Sequence, residues 1–237
     1  MRVTIHQPQF LPWLGYLDKI DQADLFVVLD NVQFKKNEWQ NRNRIRTAEG
    51  WQWLTVPVLH RFGQRLHQVE INPTSHWQSQ HLRAVEMHYA RAPYRDRYLP
   101  ELQAIYEMTW PTLTELNLAV LRWMMDAMGI TTPVRVASEF LLRDNATDRL
   151  IDICHAVGAG RYLCGPGAEG YMDKPRFLAS GVLLEMQYFH HPTYGQCYDP
   201  FMPGLSALDL LLCHGPESGM ILREARESGE PARQGRW

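Results

Sequence analysis

The chain has 237 residues, 45% of them hydrophobic, and a formal net charge of −2. That is enough apolar material for a full core, so a largely disordered chain is excluded. The near-neutral balance argues against a nucleic-acid coat or a polybasic membrane anchor, and no apolar run approaches the roughly 20 residues that span a bilayer.

Arg2 to His6 reads as a first strand rather than a leader segment. Gln7-Pro8-Gln9-Phe10-Leu11-Pro12 follows as a loop stiffened by two prolines. Trp13 to Gln22 reads as a helix, with Trp13, Leu14, Leu17 and Ile20 on one side, and Leu25 to Leu29 as a buried strand. A strand–helix–strand unit predicts a parallel pair with a right-handed crossover. Ligands then bind beyond the carboxyl ends of the strands, which here are His6-Gln7 and Asp30-Asn31.

The second strand opens into a polar stretch rich in amides and cations: Lys36, Asn37, Gln40, Asn41, Arg42, Asn43 and Arg44, with Trp39 among them. Amides offer both donors and acceptors, and Arg offers a planar fork for carboxylate or phosphate. The alternative reading of this stretch is a solvated basic face.

Gly50-Trp51-Gln52 is expected as a turn and Trp53 to Val58 as a strand with Pro57 at an edge or bulge. Val69 to Ile71 is short and strand-like. Ser75 with Gln78 predicts a capping box for a helix to about Tyr89. A helix is expected over Arg95 to Met108 despite Pro100, and another from Thr112, capped with Glu115 and ended by Gly129. Residues 75–129 thus form a helical region packed around the sheet. Val134 to Ala137, Arg161 to Cys164 and Leu183 to Phe189 are strand candidates, with a helix from Asn145 between the first two. Ser206 and Asp209 cap a short Leu-rich helix, and from Pro216 the chain is expected to be a loose polar tail. The fold class is therefore α/β, a mostly parallel, nucleotide-binding sheet of Rossmann-like or HUP-like type with an inserted helical region, in one domain over 1–215.

Several constellations carry weaker chemistry. Gly165-Pro166-Gly167-Ala168-Glu169-Gly170 matches G-x-G-x-x-G after a strand, but Pro175 follows and no long helix opens. A loop that lets backbone approach a ligand fits better than a dinucleotide fingerprint. His190, His191, Tyr194 and Gln196 cluster after a strand; with Cys197, Cys213 and His214 they lack the spacing of a metal frame, so no metal site is assigned. The four cysteines show no C-x-x-C pair, which predicts reduced thiols and a cytoplasmic protein. Eight Trp and ten Tyr can line a core or a pocket for sugars and flat rings.

Three blocks carry a resemblance: Ile5 to Tyr16 (IHQPQFLPWLGY), Ala23 to Phe34 (ADLFVVLDNVQF) and Asn37 to Ile45 (NEWQNRNRI). Together with Tyr162 to Gly165, Tyr171 to Asp173, His191 to Tyr194 and Leu205 to Leu211, they resemble the WbqC-like protein family over nearly the whole chain to about Gly215. The resemblance implies bacterial O-antigen or surface-polysaccharide precursor chemistry, with glycyl (aminoacyl) transfer to a sugar suggested for the family. It brings no settled catalytic residues. The first strand, loop and helix also show a fainter similarity to nucleotidylyltransferases with an H-x-G-H loop; Tyr16 stands where the second His would be.

The reading adopted is a transferase acting on an amino-sugar or nucleotide-sugar with an amino-acid donor. His6 is assigned as base or phosphate contact, Asp30 as the carboxylate that orients His6 or the acceptor amine, and Asn41 with Asn43 as the amides that orient the reacting carbonyl. Gln7, Lys36, Asn37, Gln40, Arg42, Arg44, His191, Tyr194 and Gln196 are assigned to substrate binding. Nucleotidyl transfer or adenylate formation at the same sheet mouth, and a non-catalytic sugar- or partner-binding module, are the alternatives. Cofactor and oligomeric state stay open.

Overall fold

A computed structural model describes residues 1–168 and 172–228. The chain runs through β1 (Arg2–His6), α1 (Leu14–Asp21) and β2 (Leu25–Val28), as the opening pattern predicts. An antiparallel hairpin follows, β3 (Arg42–Thr47) and β4 (Gly50–Thr55), then a small pair, β5 (Val58–Leu59) and β6 (Glu70–Ile71). Three helices come next: α2 (Trp77–His88), α3 (Arg95–Glu107) and α4 (Leu113–Ala127). The chain then completes the α/β part with β7 (Val134–Val136), α5 (Ala146–Ala156), β8 (Arg161–Cys164), α6 (Lys174–Ala179), β9 (Leu183–Met186), α7 (Leu208–His214) and α8 (Ser218–Ser228).

Five strands form one parallel sheet in the order β7-β2-β1-β8-β9. The central strands β1, β2 and β8 are short and largely buried on both faces, whereas the edge strands β7 and β9 are partly exposed. Alternate residues serve different cores. Phe26 and Val28 face the larger core with α1, α4 and α7, while Val3, Ile5, Leu25 and Val27 face the smaller one with α5 and α6. From β1 the chain winds outward through β2 and β7, then returns to lay β8 on the other side of β1. The sheet therefore changes winding direction between β1 and β8, and a crevice opens at that point beyond the carboxyl ends of the strands.

Three local expectations are corrected. Residues 50–52 belong to β4, so the hairpin turns at Ala48-Glu49. The capping box at Ser75 does not form; His76 precedes α2 without a side-chain cap, and Ser75 Oγ is buried without a partner. At Thr112 the box is complete. Thr112 Oγ1 accepts from Glu115 N, and Glu115 Oε2 accepts from Thr112 N at 2.9 Å. Thr112→Ala is expected to cost about 0.5–2 kcal/mol, read as a lower urea midpoint at unchanged slope. Finally, residues 216–228 are no loose tail. Arg223 and Arg226 of α8 reach Asp21 and Asp18 of α1 at 2.8–2.9 Å, a clamp invisible from local polarity.

Candidate functional site

At the β1/β8 crevice lies a cavity of about 360 Å³. His6 and Gln7 wall it from β1, Gly165 and Gly167 from the loop after β8, Lys19 from α1 and Arg149 from α5. Among the described residues no atom lies within 4 Å of where a Cβ would stand on either glycine, so the loop leaves open space at its backbone. Residues 169–171, the rest of the G-x-G-x-x-G match and Tyr171, lie outside the described residues.

The cavity is electropositive. Lys19 is 3% exposed, and among the described residues no carboxylate pairs with it. Burial pushes its ammonium down to about 8, so it is charged at neutral pH. The Cα–Cβ bond of a helical residue leans toward the helix N-terminus, which lets the long stem of Lys19 reach back to the strand ends. Arg149 donates to the Asp144 carbonyl at 2.8 Å and lies 3.4 Å from the Asp144 carboxylate, which fixes its guanidinium and offsets part of its charge. The N-terminus of α5 also faces the cavity through Ala146. Its first donors are taken by Asn145 Oδ1, which accepts from Thr147 N and Asp148 N, so that helix end offers its dipole more than free N–H groups.

His6 is neutral here. Burial first, and the Lys19 charge second, push its pKa down to about 3. His6 Nδ1 lies 3.0 Å from the Gln7 carbonyl, which also accepts from Tyr16 Oη at 3.1 Å. A carbonyl can only accept, so Nδ1 carries the proton and Nε2 keeps a lone pair.

A smaller cavity of about 170 Å³ adjoins the first and shares His6 and Gln7 with it. Gln9, Trp39 and Gln40 line it, with Lys35 and Glu38. Lys36 and Asn37 are exposed and line neither cavity.

The structure spends most of the amide stretch on its own frame. Asn41 Nδ2 donates to Val56 O at 3.0 Å while Asn41 Oδ1 accepts from Asn37 N. Asn43 Nδ2 donates to Phe10 O and Leu11 O, holding the proline loop, and its Oδ1 accepts from Arg44 N. Asp30 is not beside His6 in bonding terms. Its carboxylate accepts from Ser138 N at 2.9 Å and Ser138 Oγ at 2.6 Å, tying β2 to the turn after β7. Arg42 stacks over Trp53 at 4.1 Å, and Arg44 donates to Gly204 O among Trp39, Trp51 and Trp53. The assignments of Asp30 to orienting His6 and of Asn41 and Asn43 to gripping a carbonyl are therefore corrected: these side chains shape the walls.

His191, Tyr194 and Gln196 line neither cavity at His6. Both ring nitrogens of His191 are engaged, with Pro192 O at 2.8 Å and Gly204 N at 3.0 Å. Tyr194 and Gln196 donate to Asp209, together with Tyr89. They form a second buried polar knot, apart from the crevice. Cys197 Sγ and Cys213 Sγ lie 3.9 Å apart as free thiols. Among the described residues no group of three or more His, Cys, Asp or Glu could hold a metal ion, and no helix is long and apolar enough to cross a membrane.

The profile of the WbqC-like protein family matches residues 7–221, a span that includes the proline loop and the amide stretch. The chain belongs to the WbqC-like protein family. One relative of this WbqC-like protein is "Uncharacterized protein Rv1507c" of Mycobacterium tuberculosis (strain ATCC 25618 / H37Rv), 35% identical over 230 residues that cover 95% of this chain and 99% of that one. No solved structure matches.

Lys19 and Arg149 escaped the sequence reading. Lys19 falls on what looks like the solvent side of α1, yet in the fold it is buried and lines the cavity beside β1 and the loop after β8. The one available signal was a lysine in the short crossover helix directly after the first strand.

Proposed function

We propose that this WbqC-like protein is a transferase that holds the diphosphate of a nucleotide-linked or lipid-linked amino sugar, of the kind used in surface-polysaccharide synthesis, in the crevice between β1 and β8. The observation that carries this reading is the buried Lys19 ammonium, without a carboxylate partner among the described residues, in a cavity at the switch point of a parallel sheet. Lys19 and Arg149 supply charge to an anion, and the Gly165–Gly167 loop supplies open backbone.

The resemblance suggests aminoacyl transfer, and His6 fits one step of it. The sugar amine attacks the carbonyl carbon of an activated amino-acid ester. A C–N bond forms, the C–O bond to the carrier breaks, and the amine proton passes to His6 Nε2. A bound diphosphate offsets the Lys19 charge and so makes His6 more basic than it is in the free protein.

The test is calorimetric titration with UDP-N-acetylglucosamine, UDP and ATP–Mg²⁺ between pH 7 and 9.5. Lys19 is already protonated below about pH 8, so affinity there is flat with pH. Above pH 8 a bound anion must draw a proton onto Lys19, so affinity falls by up to about tenfold per pH unit and the heat depends on buffer. A wild-type protein that binds no diphosphate overturns the reading. Preference for ATP–Mg²⁺ over the diphosphate sugar moves it to adenylate formation.

A further inference from the structure

The smaller cavity has a hydrogen-bond polarity that can be traced bond by bond. Lys35 N donates to Gln40 Oε1 at 2.8 Å, which fixes the orientation of the Gln40 amide. Gln40 Nε2 then donates to Gln7 Oε1 at 2.6 Å, which fixes Gln7 in turn. The NH₂ of Gln7 is the unspent end of this relay, at the wall shared by both cavities. On the same lining stands Gln9, 8% exposed, whose Oε1 is buried with no hydrogen-bond partner among the described residues. An orphaned buried acceptor costs about 1–3 kcal/mol, so it needs a reason.

A donor on Gln7 and an acceptor on Gln9, both residues of this one lining, match hydroxyl or amide groups, which both give and take hydrogen bonds. Trp39 adds a flat apolar wall. Its ring is held by Trp53 at 5.5 Å and by the Arg44 guanidinium at 5.4 Å, and its carbonyl accepts from Phe10 N at 3.0 Å. An indole face with a few fixed polar groups is suited to a ring that is apolar on its faces and polar at its edge.

We propose that the smaller cavity is a saccharide subsite: Gln9 Oε1 and the Gln7 amide take hydroxyl or amide groups of one sugar ring, and Trp39 stacks on its face. The proposal rests on the diphosphate reading for the larger cavity and extends it. The two cavities meet at His6, so a sugar in one and its phosphates in the other bring the sugar's substituents against Nε2. Together the two volumes fall in the range of small-ligand sites, roughly 300–1,000 Å³.

The experiment compares wild type, Gln9→Leu, Trp39→Phe and Lys19→Met. Calorimetry uses UDP and UDP-N-acetylglucosamine, and the Trp39 indole N–H resonance, assigned by its loss in Trp39→Phe, is followed with methyl glycosides of glucose, galactose, glucosamine and N-acetylglucosamine. Wild type is expected to bind the sugar nucleotide more tightly than UDP. Gln9→Leu is expected to erase that margin, about tenfold, and leave UDP affinity unchanged, whereas Lys19→Met weakens both. Gln9→Leu replaces an unpartnered polar group by an apolar one, so it folds. Equal affinity of wild type for UDP and UDP-N-acetylglucosamine, or a Gln9→Leu protein that keeps the full margin, overturns the subsite. Failure of both nucleotides to bind overturns the diphosphate reading alone if a methyl glycoside still shifts the Trp39 resonance, and overturns the subsite as well if none does.

Discussion

Lys19→Met is expected to melt at a higher temperature than wild type while binding diphosphates at least tenfold more weakly. The two effects have one origin. Lys19 lies 3% exposed with no carboxylate partner among the described residues, and burial lowers its pKa from 10.5 to about 8 against a smaller opposing contribution from Cys164. At about 1.36 kcal/mol per unit, the folded protein carries a penalty on the order of 3 kcal/mol for keeping this ammonium at neutral pH. Methionine keeps most of the stem and removes the charge. For a chain of this size the gain corresponds to roughly 6–12 °C in Tm. The pH dependence checks the cause. The folded pKa lies below the unfolded one, so the unfolded chain holds more protons between about pH 8 and 10.5, and wild-type stability rises with pH across that window. Lys19→Met loses that rise. A variant that melts lower than wild type would show that the ammonium is held by the fold rather than for a ligand. Unchanged diphosphate affinity would remove Lys19 from the site.

Arg46→Met is expected to destabilise the protein by about 3–5 kcal/mol, seen in urea unfolding and as a fall in Tm of roughly 6–20 °C. Arg46 is 2% exposed and makes no ion pair among the described residues; its guanidinium donates to four carbonyls. Nη1 serves Thr47 O at 2.8 Å and Gly50 O at 2.7 Å, closing the hairpin turn. Nη2 serves Pro200 O at 2.9 Å and Tyr198 O at 3.3 Å, pinning the segment before α7 to the hairpin. Methionine would leave these acceptors without the shared donor. Arg46→Lys should recover little, because a single ammonium cannot span two pairs of carbonyls set apart by a planar fork. A loss under about 1 kcal/mol for Arg46→Met would mean that water reaches the carbonyls.

The opening of the chain was legible because its signals agree. Val3 and Ile5, Leu14 and Leu17, and Leu25 to Val28 each show the period of the element they form, and the short link between them permits only a parallel crossover. The consequence, His6 beside the end of β2, is seen in the bond from Leu29 N to His6 O at 2.8 Å. The placement of β8 on the far side of β1 was not legible, since it depends on a pairing 159 residues apart along the chain, as between Thr4 Oγ1 and Leu163 O. Without that pairing the switch point and its cations stay hidden. The amide stretch misled for a different reason. A carbonyl of the protein and a carbonyl of a ligand look alike to Asn41 and Asn43, and both amides are satisfied by backbone that comes close only after folding. The tail from Pro216 misled because Arg223 and Arg226 read as solvated charges until Asp18 and Asp21 are brought opposite.

That last clamp has a consequence for the order in which the molecule is made. α1 leaves the ribosome before α8, which grips it from more than 190 residues further along the chain. A nascent chain can pair β1 with β2 early, but β1 lacks β8, and α1 lacks Arg223 and Arg226, until those later segments have been made. During that interval Lys19 remains in water, where its charge is not penalised. The crevice is thus completed late, with its desolvated cation added only after the sheet that must bear the cost is whole.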